Sequence, residues 1–342
     1  MQKRSEGILR AINSSGRYNI LTFPTHERYQ SNWRMMPHTF YLWQGKGIKP
    51  WVNKYAQLPD NHVLLDGSEQ QLLPDIKFDL VLSQNKFGQF QVAKQMAERF
   101  NIPLISLEHT LPMESWTKKQ VDAMSQMRGQ TNVFISDYSI EKWGFKKDDP
   151  TVRVIEHAID TNVFRPSIRS DRPFGTAGVI STVNDWINRD WCCNFSLFKE
   201  LVLDRGLPHK VLGDTPGFSK PAKDIDELVE HYQNGTVYFN TSTISPVPTA
   251  MLEAMACMCP VVTTATCLIP DIIEDGVNGY CSNDKEYLYD RLIFCLQNPR
   301  HKEVLNIANN AYKTIKKRFS IVKHVASWMD LFDEVIGKGY NV

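Results

Sequence analysis

The chain has 342 residues, a formal charge of +1, and 42% apolar, 11% aromatic and 23% charged side chains, the make-up of a folded protein of about two domains. Its 18 glycines and 18 prolines exclude collagen-like and low-complexity classes, and no run approaches the ~18 consecutive apolar residues of a membrane-spanning helix. The basic opening has no apolar core of signal-peptide length. The seven cysteines all lie beyond residue 190 without framework spacing, which reads as reduced thiols of a cytoplasmic protein.

The charge is uneven. Residues 1–60 hold nine Lys/Arg against three acids, so that stretch carries +6 and the remainder −5. Such an edge suits nucleic acid, anionic lipid or a phosphorylated acceptor. A solvated face with some charge clustering accounts for it equally well.

In chain order, short apolar runs alternate with helix-period stretches, the pattern of a parallel sheet covered by helices. Strands are expected at 18–23, 62–65, 78–83, 104–107 and 132–135. Helices are expected at 88–100 and 117–127, with Asp137 or Ser139 capping another. A second unit is expected from Thr151, opening with a strand and an irregular segment closed by Pro166, followed by a breaker-rich linker over 168–175. Alternation then resumes, with strands at 177–181, 210–213, 237–240 and 260–264 and helices at 190–203, 224–232 and 248–258. The remainder reads as helical, amphipathic over 325–335.

The most informative stretch runs from Ser242 to Asp284. A loop feeds a helix opened by Pro248, whose missing N–H costs nothing in a first turn. The amides of Thr249, Ala250 and Met251 would point out of that helix start, where a diphosphate is favoured. Glu253, one turn further in, suits a pair of ribose hydroxyls better than the diphosphate, because like charges repel. A solvent-facing glutamate is the blander alternative.

Residues 245–280 resemble the donor-site signature of glycosyltransferase family 4 and its relatives with the GT-B fold. Glu253-Ala254-Met255-Ala256, Pro260-Val261-Val262, Pro270-Asp271-Ile272-Ile273, Asp275-Gly276 and Asn278-Gly279 match it in order and spacing. Residues 152–166 are similar to the family's interdomain segment, with Asp160, Phe164 and Pro166 in register and Glu156-His157 in place of Asn-Gly. Val211-Leu212-Gly213-Asp214 resembles the Gly-Asp strand end beside the nucleotide. Residues 102–112 resemble the strand whose terminal histidine, here His109, lies at the cleft, and 134–145 the serine-containing turn and helix before the linker.

Four departures stand out. Ser245 occupies the first acid position of the paired-glutamate motif, and Met258 the glycine before Pro-Val-Val. Cys267 and Leu268 replace the paired glycines before Pro270. The Arg and Lys that grip the diphosphate fall around 182–191, where Arg189 is present but Ser181 or Thr182 holds the expected Arg position.

The resemblance implies an α/β GT-B protein, with two Rossmann-like domains facing across a cleft and a C-terminal helix crossing back to the first. The boundaries are 1–150 for the acceptor domain, 151–320 for the nucleotide-sugar domain and 321–342 for the returning helix. It further implies a retaining hexosyl- or pentosyltransferase that needs no metal or other cofactor, with a nucleotide-diphosphate sugar, UDP-sugar first, as donor. His109 and Arg189 would be catalytic; Gly213, Asp214, Ser245, Pro248, Thr249, Ala250 and Glu253 would bind donor. Thr25, His26, Glu27 and Arg28, after the first strand, suit acceptor binding, because ligands of open α/β sheets gather at strand carboxyl ends; an ordinary polar loop is the rival reading. For Arg189, beside Trp186, Asp190 and Trp191, a structural salt bridge or stacking competes with phosphate binding; for His109 the rival is a satisfied core histidine.

The acceptor stays open. A glycan or lipid-linked saccharide stands first, with the protein cytoplasmic or peripheral to the inner face of a membrane. Hydroxymethylated pyrimidines in DNA are the rival, supported by the basic first sixty residues with Trp33, Trp43 and Trp51 interleaved, and placing the protein in a host cytoplasm if viral. A catalytically silent nucleotide-sugar-binding module is the third reading. Asp224-Ile225-Asp226 mimics a metal motif but sits where capping acids open a helix. Cys257-Met258-Cys259 and Cys192-Cys193 lack zinc spacing and read as buried small hydrophobes. No Walker loop or Gly-x-Gly-x-x-Gly appears.

Overall fold

A computed structural model describes residues 17–67, 76–86, 88–168, 175, 178–184 and 186–338. Lys3, Arg4 and Arg10 of the basic opening, and all of the expected linker except Ile168 and Gly175, lie outside them. The chain divides into two compact units, Met1–Ala158 with Ile321–Val342, and Ile159–Ser320.

The first unit is built on seven parallel strands: β1 (Asn19–Thr22), β2 (Thr39–Trp43), β3 (His62–Leu65), β4 (Leu80–Ser83), β5 (Leu104–Glu108), β6 (Thr131–Phe134) and β7 (Val152–Val154). Their order is β3-β2-β1-β4-β5-β6-β7. Strands buried on both faces lose the polar alternation of a one-sided sheet; accordingly every residue of β4, β5 and β6 is buried. Two sequence expectations change. β2 was not anticipated, because only a four-residue helix, α1 (Glu27–Gln30), and a 3-10 turn precede it, too short to show helical period. Val152–Val154, expected to open the second unit, pairs with β6 through Asn132↔Val152 as the edge of the first sheet.

Helices α2 (Phe90–Phe100), α3 (Lys118–Ser125) and α4 (Asp137–Lys142) follow β4, β5 and β6. The cap of α4 is Ser136, whose hydroxyl accepts from the Ser139 amide, and Asp137 falls in the first turn. One core lies under α2, with Phe78, Phe90, Met96 and Leu104 buried together. The other is completed only by the last helix of the chain, Ile321–Lys338. That helix sets Val325, Trp328, Met329 and Phe332 among Ile20, Trp33, Phe40, Ile105 and Val133. Its polar side is tied down as well: Tyr18 donates to Asp333 at 2.8 Å and Arg153 pairs with Glu334 at 2.7 Å. The returning helix implied by the resemblance is therefore an integral layer of the first unit.

The second unit holds five parallel strands, β8 (Ile180–Val183), β9 (His209–Leu212), β10 (Val237–Asn240), β11 (Val261–Thr263) and β12 (Tyr280–Cys281), in the order β12-β11-β10-β8-β9. Its helices are α5 (Trp186–Cys193), α6 (Phe195–Phe198), α7 (Ile225–Asn234), α8 (Thr249–Ala256), α9 (Ile269–Ile272), α10 (Lys285–Gln297) and α11 (Lys302–Arg318), which makes Ile321–Lys338 α12. Phe198, Val237, Phe239, Val262, Leu292 and Val304 share its core. Asp224 caps α7, accepting from the Glu227 amide at 2.9 Å, as a capping acid should.

Each strand order reverses once, between β1 and β4 in the first sheet and between β8 and β10 in the second. Chain connections leave opposite ways at such points and open a crevice at the strand carboxyl ends. Trp328 is fully buried and its indole N–H donates to the Tyr29 hydroxyl at 3.1 Å. Trp328→Ala should destabilise the first unit by about 3–5 kcal/mol, read by denaturant titration as an earlier transition for that unit alone.

Candidate functional site

In the second unit the expected donor residues gather at the carboxyl ends of β8, β9 and β10. Gly213 directly follows β9 at φ +148°, and a Cβ there would sit 1.6 Å from the carbonyl of Asn184, the residue after β8. Only glycine allows the two strand ends to close up this tightly. Asp214, next to it, is exposed, and Thr215 accepts from the Trp186 amide at 3.3 Å through its hydroxyl. The Trp186 ring is buried between Phe195, Phe198 and Phe218.

Arg189 breaks α5, with φ −134° and ψ 23°, and its side chain is exposed. Asp190, the expected salt-bridge rival, instead accepts from the Phe195 amide at 2.7 Å. The carbonyls ending α5 hold the loop that follows β10: Thr243 N–H donates to Cys192 at 2.8 Å and the Thr241 hydroxyl to Cys193 at 2.5 Å. Cys192, Cys193, Cys257 and Cys259 are all buried, in keeping with the apolar reading. The Cys192 thiol is lowered to about 7, first by its contact with the Cys193 sulfur and further by Arg189.

The loop delivers the chain to α8. Pro248 is the N-cap residue, not the first helical one. The Met251 amide, expected to point outward, bonds back to the Pro248 carbonyl at 3.1 Å. Thr249 and Ala250, both half-buried, remain as the outward first-turn donors that a helix start leaves without intrahelical acceptors. Glu253 is buried rather than solvent-facing, at 1% exposure, and accepts from the Tyr232 hydroxyl at 2.8 Å. A carboxylate held by a phenol is oriented in advance of any hydroxyl it receives. Ser245 is half-buried in the loop. Met258 and Cys267, standing where the resemblance has glycines, both adopt left-handed backbone, at φ +60° and +51°. The glycine geometry is therefore retained without the glycines.

In the first unit, His109 directly follows β5 and is buried. Its ring meets Tyr29 at 4.6 Å, His26 at 4.9 Å and His157 at 6.1 Å between centroids. Among the described residues neither of its ring nitrogens has a hydrogen-bond partner, so the simple reading as a satisfied core histidine does not hold. Tyr29 also faces His157 and His324, and His324 Nδ1 lies 2.8 Å from the Glu156 carbonyl. Burial, helped by the neighbouring histidines, pushes His109 well below the usual imidazole range. The same cause takes His157 down to about 3 and His324 to about 4. Neutral imidazoles of this kind offer a donor and an acceptor to sugar hydroxyls rather than a charge. Behind them Glu108 is buried and raised by desolvation, while burial lowers Lys86 to about 8.

The residues after β1 divide. His26 is exposed and Arg28 half-buried. The Thr25 hydroxyl accepts from Gln89 Nε2 at 2.8 Å. Glu27 is buried, and Lys49 holds its carboxylate at 3.0 Å, which makes it an anchor for α1. Tyr29, His157, His324 and Tyr232 were missed from the sequence; only His157 carried a signal, as the residue replacing a family glycine. Trp33 and Trp51, offered as partners for DNA bases, are buried in the core. Among the described residues no group of three or more His, Cys, Asp or Glu could hold a metal, and no helix is long and apolar enough to cross a membrane.

Comparison with known proteins places these features. Residues 197–314, about a third of the chain, match the family model described as glycosyl transferases group 1. That match lies within the second unit, and the chain has the GT-B fold. HepE of Anabaena, solved with UDP and glucose, superposes at a TM-score of 0.67 with 14% identity, covering 93% of this chain and 100% of that one. A sucrose-phosphate synthase from Thermosynechococcus elongatus superposes at 0.73 with 11% identity, covering 94% and 100%. The α-monoglucosyldiacylglycerol synthase of Acholeplasma laidlawii is 29% identical over 140 residues, 40% of this chain. That match spans 33% of the relative's length.

Two outcomes follow. Gly213→Ala should destabilise the second unit by more than about 2 kcal/mol, since neither φ nor space admits a Cβ, and chemical denaturation reads this. Below pH ~6.5 the unfolded chain binds more protons than the fold wherever a histidine is depressed by burial. His38, His62 and His324 fall to about 4 and His157 to about 3 in the first unit, against His231 at about 4 in the second. Each removes about 1.4 kcal/mol per pH unit, so the first unit should lose stability as pH falls from 6.5 towards 4. Tryptophan fluorescence reports it, because six of the eight tryptophans belong to that unit.

Proposed function

We propose that the chain is a retaining glycosyltransferase moving a hexose or pentose, glucose first, from a UDP-sugar to a hydroxyl acceptor without a required metal. The observation that carries this is Glu253: a buried carboxylate held by Tyr232, one turn inside a helix whose start offers the Thr249 and Ala250 amides. It lies within the group 1 match. The amides and Arg189 would take the diphosphate, and Glu253 the ribose. The departing diphosphate and the electron-poor sugar need mainly electrostatic stabilisation. In the first unit, His109 would offer an uncharged hydrogen-bonding group to a sugar hydroxyl.

A lipid-linked or saccharide acceptor is supported by the diacylglycerol-linked product named for the Acholeplasma relative, and would keep the protein cytoplasmic or at the inner membrane face. Of the three tryptophans that favoured DNA, Trp33 and Trp51 lie in the core and only Trp43 is half-buried. The decisive experiment offers UDP-glucose with vesicles containing diacylglycerol or glucosyldiacylglycerol, and separately with hydroxymethylated DNA, and follows UDP release and product mass. An α-linked glycolipid product by NMR, formed equally in EDTA, supports the proposal. UDP-sugar binding without transfer to any acceptor points to the silent module. Glu253→Ala should abolish both donor binding and turnover. Arg189→Ala should weaken UDP and UDP-glucose by about tenfold or more, the scale of one charge-assisted contact, and leave uridine unchanged in calorimetry. Equal weakening of all three would make Arg189 structural.

A further inference from the structure

The loop leading into α8 is held from below by side chains that neither the resemblance nor the family match assigns. Thr264 and Thr266, in the segment after β11, both direct their hydroxyls to the Ser242 carbonyl, at 2.5 and 2.8 Å. Cys267 directs its thiol to the next carbonyl, that of Thr243, at 3.5 Å. From the opposite side Thr243 is held by the Cys192 carbonyl. Two consecutive peptide units are thus fixed on both sides, immediately before Ser245 and the helix start.

Cys267 reaches its acceptor from φ +51°, a backbone region unfavourable to any residue with a Cβ. Glycine would occupy it without strain and is what the resemblance expects. A strained non-glycine residue persists where the surrounding structure holds it, and such residues cluster at functional sites. Here the side chain that brings the strain also brings the third donor.

We infer that Thr266 and Cys267 are positioning residues that latch residues 242–248, and so set where Ser245 and the amides of Thr249 and Ala250 meet the donor. The inference rests on the donor-site reading of that segment. It implies that stability and donor affinity respond in opposite directions to the family residue. Cys267→Gly relieves the backbone but releases the Thr243 carbonyl.

The test combines amide hydrogen exchange on the unliganded protein with calorimetry of UDP-glucose. Cys267→Gly should keep or raise the melting temperature, while exchange at the amides of Thr243, Ile244 and Ser245 quickens and UDP-glucose weakens, each by about three- to tenfold, the scale of one net hydrogen bond. Thr266→Val should give the same pair of changes, and Cys267→Ser, which restores a donor, should rescue both. Unchanged exchange in Cys267→Gly and Thr266→Val overturns the latch. Faster exchange across the whole second unit with a lower melting temperature makes these residues general packing, which also overturns it. Local loosening in a protein whose wild type binds no UDP-glucose removes the donor-site reading instead, and with it the positioning role.

Discussion

Both sheets are parallel, and a parallel sheet forces every strand to hand its chain on at the same edge. The placement of the candidate site residues is a consequence. Thr25 and His26 follow β1, His109 follows β5 and His157 lies just beyond β7. Asp214 follows β9 and Ser245 follows β10, and each sheet reverses its order where these connections part. Each of these connections delivers one or two side chains to the carboxyl end of its own sheet. Removing one connection's geometry, as a Cβ at Gly213 would, disturbs its neighbours through backbone contact.

The two units present different chemistry at their strand ends. The second works with fixed dipoles and an oriented carboxylate: helix-start amides, an arginine on a broken helix and a glutamate held by a phenol. The first works with uncharged rings, because burial strips His109, His157 and His324 of their protons. One is suited to an anion, the other to hydroxyl groups. This division supports assigning the nucleotide to the second unit.

Much of this was legible in the sequence, and the reasons for the remainder are physical. The Pro248 helix and Glu253 announce themselves by local chemistry, and Asp224 reads correctly as a cap from its place before DELVEHY. β2 was invisible because the helix before it, only four residues long, shows no periodicity. The moved boundary has a similar cause, since Val152–Val154 reads as a strand either way and only pairing with β6 decides its sheet. His324 gave no signal, being 168 residues from the Glu156 carbonyl that it meets. The left-handed backbone at Met258 and Cys267 was masked by the residues themselves, which do not advertise it as glycine does.

The returning helix has a consequence for how the molecule is made. Val325, Trp328, Met329 and Phe332 supply part of a core whose other members are encoded before residue 159. A ribosome therefore releases the whole second unit before the first can close. Until then that core lacks the last helix's share of its cover, while residues 159–320 already hold their complete strand set. Synthesis thus supplies the last layer of the first unit only after the whole of the second, so a chain that stops short of residue 321 leaves apolar surface of the first unit exposed.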